Sequence, residues 1–194
     1  MLRNADYIWD NILIEDGTNT TLKYCKKAQE GVDLSVKNIY KIKGAGYVSK
    51  TKSYIPDYEL LNLNKGIPLL GKENLNEEFW FLEKATYIAE LDCGVNFGPN
   101  DTGMIILRSS LNRSGVSVIA ALWDSGFTTR DKDDPNKVNT ITVRLNVDNE
   151  YGFYLEKHAR ICQLIIFENE DTTLYDGQYQ NGSFKSNLVD EKIV

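Results

Sequence analysis

The chain has 194 residues, 42% of them apolar, and a formal net charge of -6. That length fills one core and is short for two ordinary domains, so a single domain spanning 1–194 is expected. The acidic balance argues against a nucleic-acid footprint, which needs clustered Lys and Arg to displace counterions, but a nucleotide monomer could still be held by a local cluster. No apolar run approaches the roughly 20 residues of a membrane span, and the start, MLRNADYIWDNILIEDG, lacks the basic-then-apolar order of a secretory signal. A cytoplasmic protein without membrane contact is therefore expected.

In chain order, the first dozen residues carry a weak helical period, followed by the strand-like GVDLSVKNIYKI at 31–42. The mixed, Pro- and Gly-punctuated stretch 43–78 reads as a long loop. ATYIAELDCGV, TGMIILRSS, VSVIAALW, NTITVRLNV and ARICQLIIFE each alternate with period two and are rich in Val, Ile, Thr or Tyr. Between the second and third of these, SSLNRSG predicts one helical turn ending at Gly115, and TTRDKDDPNKVN at 128–139 predicts a charged hairpin tip. The end, about 175–194, has no core-forming pattern and is expected to be mobile. An all-β barrel or sandwich follows.

Three widely spaced cysteines, Cys25, Cys93 and Cys162, form no CxxC pair and read as reduced structural thiols. The single histidine, His158, stands among Glu156, Lys157 and Arg160 and reads as part of a solvated turn entering a strand. Any catalysis then falls to carboxylates. Asp124 follows an apolar run and precedes a Gly turn; it is either a turn-starting Asp or a general base on water. Arg108, Ser109 and Ser110 place a guanidinium beside hydroxyls, a cradle for phosphate or an ordinary loop. Asp33 is either a surface strand acid or a group that helps hold a hydrated Mg²⁺ on a triphosphate.

Five segments in this order, GVDLSVKNIYKI, RSSLNRSGV, ALWDSGF, ARICQL and YDGQYQ, together resemble the dUTPase and dCTP deaminase superfamily, closest to its archaeal and viral-type dUTPases. The resemblance implies a distorted, jelly-roll-like β-barrel assembling as a homotrimer with active sites at subunit interfaces. It implies a dUTP diphosphatase making dUMP and pyrophosphate, with Asp124 activating water and Mg²⁺ held through water by Asp33. Substrate contacts would come from Arg108, Ser109, Ser110, Arg113 and Gln163, from the strand Ile119, Ala120, Ala121, Leu122, and from Tyr175, Tyr179 and Gln180 in the closing tail. Phe184 is a candidate for stacking on the base.

Deaminases of this superfamily carry a glutamate on the strand after the acid-and-turn motif; here Arg144 takes that place, with Glu150 the nearest acid if the register slips. An arginine holds its proton at neutral pH and cannot shuttle one, which favours hydrolysis over dCTP deamination. A further alternative is a silent nucleotide-binding regulatory protein using the hairpin Asp131 to Lys137 as a contact surface.

Overall fold

The structure is a computed structural model and describes residues 1–50, 52–67, 74–170, 173–177, 179–182 and 188–190. Six strands form the main path of an eight-stranded sheet: β1 Val32–Lys43, β2 Ala85–Leu91, β3 Asp101–Leu107, β4 Val116–Ile119, β5 Thr142–Val147 and β6 Arg160–Glu168, with Lys26–Lys27 and Asp57–Leu60 also pairing with β1. Their spatial order is β3-β6-β1-β2-β5-β4, with every pairing antiparallel. The expected β-rich class is borne out, and every strand-like segment of the sequence contributes a strand.

The sheet rolls up because β1 is long and serves two neighbours. Its first half pairs with β6 and its second half with β2, with a register shift between Val36 and Asn38. That bulge changes the inward phase from Val32, Leu34 and Val36 to Ile39, so one strand keeps apolar residues on the core through a bend. Leu34, Ile39, Leu91, Leu145, Leu164 and Ile166 are all fully buried there. The free edges then meet: Gly103 of β3 and Trp123, four residues past β4, exchange backbone hydrogen bonds of 2.9 and 3.0 Å. Only glycine fits at 103, because a Cβ would lie 2.4 Å from the Phe97 ring.

SSLNRSG forms the expected helical turn, α1, Ser109–Arg113, but its N-cap is Arg108 and no serine side chain caps it. The N-terminal helical period is realised as Ala5–Tyr7 running into a π-helical turn at Ile8–Ile12, which buries Ile8 and Ile12. The three cysteines are free and buried, as expected. No helix among the described residues is long and apolar enough to cross a membrane.

Two expectations need correction. The stretch 43–78 holds short strands, Tyr47–Val48, Lys52–Tyr54, Asp57–Leu60 and Asn64–Ile67, and the start of Asn74–Leu82. Asp57–Leu60 pairs with the end of β1, and Asn74–Leu82 lies between Asn64–Ile67 and Phe153–Glu156. Such edge strands owe their conformation to their partners, so local alternation is weak. His158 does sit in a turn entering β6, but it is not simply solvated: Nδ1 lies 3.0 Å from both oxygens of buried Asp92 and its ring stacks on Tyr24 at 3.8 Å, in a backbone with φ +63°. Among the described residues of the C-terminal segment, 188–190 pairs with 52–54, and Tyr175 and Asn181 bond the turn that follows Asp124.

The loop after the N-terminal helix is locked by Asp16, whose carboxylate accepts backbone N–H bonds from Thr18, Asn19, Thr20 and Val138. Burial opposes its ionisation, yet the donations from Thr20, Val138, Thr18 and Asn19 outweigh that and hold the carboxyl well below the usual range. An unfolded Asp titrates near about 4, so this stabilisation is complete above that pH and is lost as pH falls below it. Asp16→Asn is expected to lower stability at neutral pH and to flatten the acid limb below about pH 4, measured by urea unfolding across pH.

Candidate functional site

Closure at Trp123 puts the next residue, Asp124, at an exposed rim. A tight turn follows in which Phe127 N–H donates to the Asp124 carbonyl at 3.1 Å, with Gly126 at φ +81° making the reversal possible. Gly126 N–H in turn bonds the Gly98 carbonyl, and Phe127 is buried with its ring 6.3 Å from Phe97 and edge-on to Tyr175 at 5.6 Å. The turn is thus held from below by an aromatic cluster while its carboxylate stays in solvent.

The tail binds this turn from the same chain. Tyr175 N–H donates to the Ser125 carbonyl at 2.8 Å, and Asn181 N–H to the Thr128 carbonyl at 2.8 Å. The Gln180 carboxamide clasps the backbone twice, donating to the Gly126 carbonyl at 3.0 Å and accepting from Thr128 N–H at 3.2 Å. Between turn, tail and sheet lies a cavity of about 280 Å³, lined by Leu122, Asp124, Phe127, Tyr58, Tyr175 and Tyr179 among others. Its floor is the outer face of β2 and β5, through Ile88 and Thr142. Burial, with the fields of Asp124 and Tyr179 adding to it, pushes the Tyr175 hydroxyl above its usual range, so it stays a neutral group near the carboxylate.

A second cluster gathers where β1, β3 and β6 run side by side. Arg108 Nε lies 3.3 Å from Asp33 Oδ2, its Nη1 donates to the Arg160 carbonyl at 2.8 Å, and Arg160 Nε is 4.0 Å from the same Asp33 oxygen. Gln163 stands opposite Asp33 in register, and Ser109 and Ser110 are exposed beside Arg108 on α1. Two guanidiniums sharing one carboxylate leave net positive charge, with hydroxyls alongside, which suits an oxyanion. Arg113 is also exposed, at the end of α1.

The predicted site residues therefore fall into two groups. Asp124, Ala121, Leu122, Tyr175 and Tyr179 share the cavity, and Gln180 fastens its rim; Asp33, Arg108, Ser109, Ser110, Arg113 and Gln163 do not line it. Ile119 ends β4, and Ala120 to Leu122 lie beyond it, so the four do not form one continuous strand as expected. Ile119, Ala121 and Leu122 are exposed. Phe184 lies outside the described residues. Sequence reasoning missed Tyr58 and Ile55, which reach the cavity from the supposed loop, and the floor residues Thr140 and Thr142. No local signal separates them from ordinary strand residues.

Two further acids are unsuited to proton shuttling. Glu90 is buried and accepts from Asn38, Tyr40 and Thr140, with Lys37 3.7 Å away. Burial opposes its charge, but those bonds prevail and lower its pKa. Glu150 is exposed and ion-paired with Lys84. Among the described residues no group of three or more His, Cys, Asp or Glu could hold a metal, so a divalent ion would need oxygens from a bound phosphate chain.

A rolled antiparallel sheet with an acid-bearing turn and a separate arginine–serine corner defines a β-barrel-like protein. The dCTP deaminase-like family matches residues 5–169, and the chain belongs to that family, within the superfamily of dUTPases and dCTP deaminases. It is 32% identical over 157 residues to a probable deoxyuridine 5'-triphosphate nucleotidohydrolase of Methanococcoides burtonii, covering 78% of this chain and 79% of that one. A protein of the same name from Archaeoglobus fulgidus is 29% identical over 158 residues, covering 80% and 81%. A solved 2'-deoxycytidine 5'-triphosphate deaminase from Agrobacterium tumefaciens superposes with TM-score 0.49 at 11% identity, covering 80% of this chain and about half (48%) of that one.

Removing the carboxamide in Gln180→Ala is expected to free the tail from the turn. Hydrogen exchange at the Thr128 and Asn181 amides should rise at least tenfold, while β1 and β6 amides keep their protection.

Proposed function

We propose that the protein hydrolyses dUTP to dUMP and pyrophosphate. The carrying observation is the solvent-facing Asp124 at the rim of a cavity walled by Phe127, Tyr175 and Tyr179, and the shared name of the archaeal relatives supports it. The cavity is near the lower end of the range for small-molecule sites, a size for a nucleoside with its phosphates left outside. Arg108, Ser109 and Ser110 grip those phosphates, with Arg113 and Gln163 adding contacts. Ile119 to Leu122 present backbone groups and apolar side chains to the base.

In the chemical step Asp124 takes a proton from a water that attacks the α-phosphorus. The bond from that phosphorus to the bridging oxygen breaks, and pyrophosphate leaves with the electron pair. Asp33 would help hold a hydrated Mg²⁺ on the triphosphate, and the ion would supply neutralisation of the polyanion's charge. The protein's own groups orient the phosphates and the water, the main sources of rate in a reaction that needs no covalent nucleophile.

The two groups of residues lie apart in one chain, so the complete site joins the Asp124 cavity of one copy to the arginine–serine corner of another. A homotrimer fits this arrangement. Met104 and Ile106 of β3 and Phe167 of β6 are exposed on the sheet face that also carries Gln163, an apolar surface for an adjoining copy.

Pyrophosphate release from dUTP with Mg²⁺ tests the activity: Asp124→Asn, which keeps the turn but cannot take a proton, should lose about 10²- to 10⁴-fold in kcat with an unchanged fold. Absence of pyrophosphate from the unaltered protein would refute the assignment. Mixing inactive Asp124→Asn and inactive Arg108→Ala chains, after dissociation and reassociation, should restore part of the activity, since some shared sites then carry both intact halves. No recovery would refute sharing between copies.

A further inference from the structure

We infer that Arg144 sets the base preference of the cavity, selecting a nucleobase that presents a carbonyl at the sheet floor over one that presents an amino group. This rests on the nucleotide reading of the cavity and adds to it a residue that none of the roles above uses.

Arg144 lies on β5 directly opposite Ile88 of β2 on one side and Ile119 of β4 on the other. Ile88 lines the cavity, and so does Thr142, two residues before Arg144 on the same face of β5. The intervening Val143 and the following Leu145 are buried, which fixes the face on which Arg144 stands. Cross-strand neighbours lie about 5 Å apart and i, i+2 neighbours about 7 Å apart, within the span of an arginine side chain. The cavity floor is therefore within reach of the guanidinium.

That guanidinium is also uncommitted. Arg3 is paired with Asp101 and Glu168, and Arg108 and Arg160 with Asp33, whereas Arg144 has no hydrogen-bond or ion-pair partner among the described residues. The nearby carboxylate that could have claimed it, Glu90, is occupied by Asn38, Tyr40 and Thr140. An exposed arginine without a partner among the described residues, one strand position from the cavity-lining Ile88, is a donor set within reach of an acceptor bound there.

The chemistry then discriminates. A guanidinium offers five donors and no acceptor. A uracil-type ring edge carries a carbonyl oxygen that accepts such a bond; a cytosine-type edge puts an amino donor at the same place, so donor faces donor and both are left unpaired as water is excluded. Sites that hydrogen-bond a ligand group discriminate strongly against an analogue that cannot complete the bond. The hydroxyls of Thr140 and Thr142 can both donate and accept, and so supply no such bias by themselves.

The test compares the full-length protein with Arg144→Gln and Arg144→Lys, measuring binding of dUMP and dCMP by calorimetry and turnover of dUTP and dCTP by pyrophosphate release. Arg144 is exposed, so both variants should keep the fold, checked by near-UV circular dichroism. The unaltered protein should prefer dUMP; Arg144→Gln, whose carboxamide can also accept, should narrow the dUMP to dCMP ratio by about tenfold or more, and donor-only Arg144→Lys should retain it. An unchanged ratio in Arg144→Gln overturns the inference, as does equal weakening for both nucleotides with weakened binding of inorganic triphosphate, the signature of a phosphate grip. Should the ratio narrow in Arg144→Gln while the unaltered protein releases no pyrophosphate, the hydrolase assignment fails and the role of Arg144 stands. Should it cleave dUTP with a ratio indifferent to Arg144, the reverse holds.

Discussion

The paired backbone bonds between Gly103 and Trp123 are the constraint on which the site depends. They join the two edges of the rolled sheet at a glycine where no side chain would fit, and they fix the chain direction one residue before Asp124. Phe97 fills the space beside Gly103, packs toward Trp123 and Phe127, and donates its N–H to the Phe127 carbonyl. One aromatic residue thus supports both the barrel seam and the acid-bearing turn. The geometry of the carboxylate is inherited from barrel closure, which is why a solvent-exposed side chain can still be held in a defined place.

Charge is distributed with the same economy. Asp33 bridges Arg108 and Arg160 across three adjacent strands, so the corner holds its cations in place and keeps one positive charge in excess. On the opposite edge of β1 the long strand changes phase at its bulge and hands over to β2, whose outer face becomes the cavity floor. A single strand therefore carries Asp33 at one end and at the other pairs with the segments that supply Tyr58 and Ile88 to the cavity. The separation of acid and cations within one chain follows from this path, and it makes association between copies part of the chemistry proposed here.

The tail illustrates where pattern reading stops. Residues 175–182 have no apolar period, so they read as loose, yet the fold uses them through a carboxamide and main-chain bonds that require no such period. Tyr58 is similar: it sits in a Pro-flanked stretch with little alternation and reaches the cavity only because Asp57–Leu60 pairs with the end of β1. His158 looked solvated from its charged neighbours, and its true partner, Asp92, is 66 residues away. In each case the deciding contact is long-range or made by backbone, and neither leaves a mark on local composition.

By itself the sequence determined the β-rich class, the strands that carry the core, the helical turn after Arg108 and the acid at the turn, because alternation, capping and turn chemistry are local and act through neighbours along the chain. Tertiary structure alone decided which of those residues share a cavity, that Asp33 is committed to two arginines, that the tail bonds the Asp124 turn, and that the Arg144 guanidinium has no partner among the described residues. These depend on strand register and barrel closure, where a shift of one residue would turn each side chain to the opposite face.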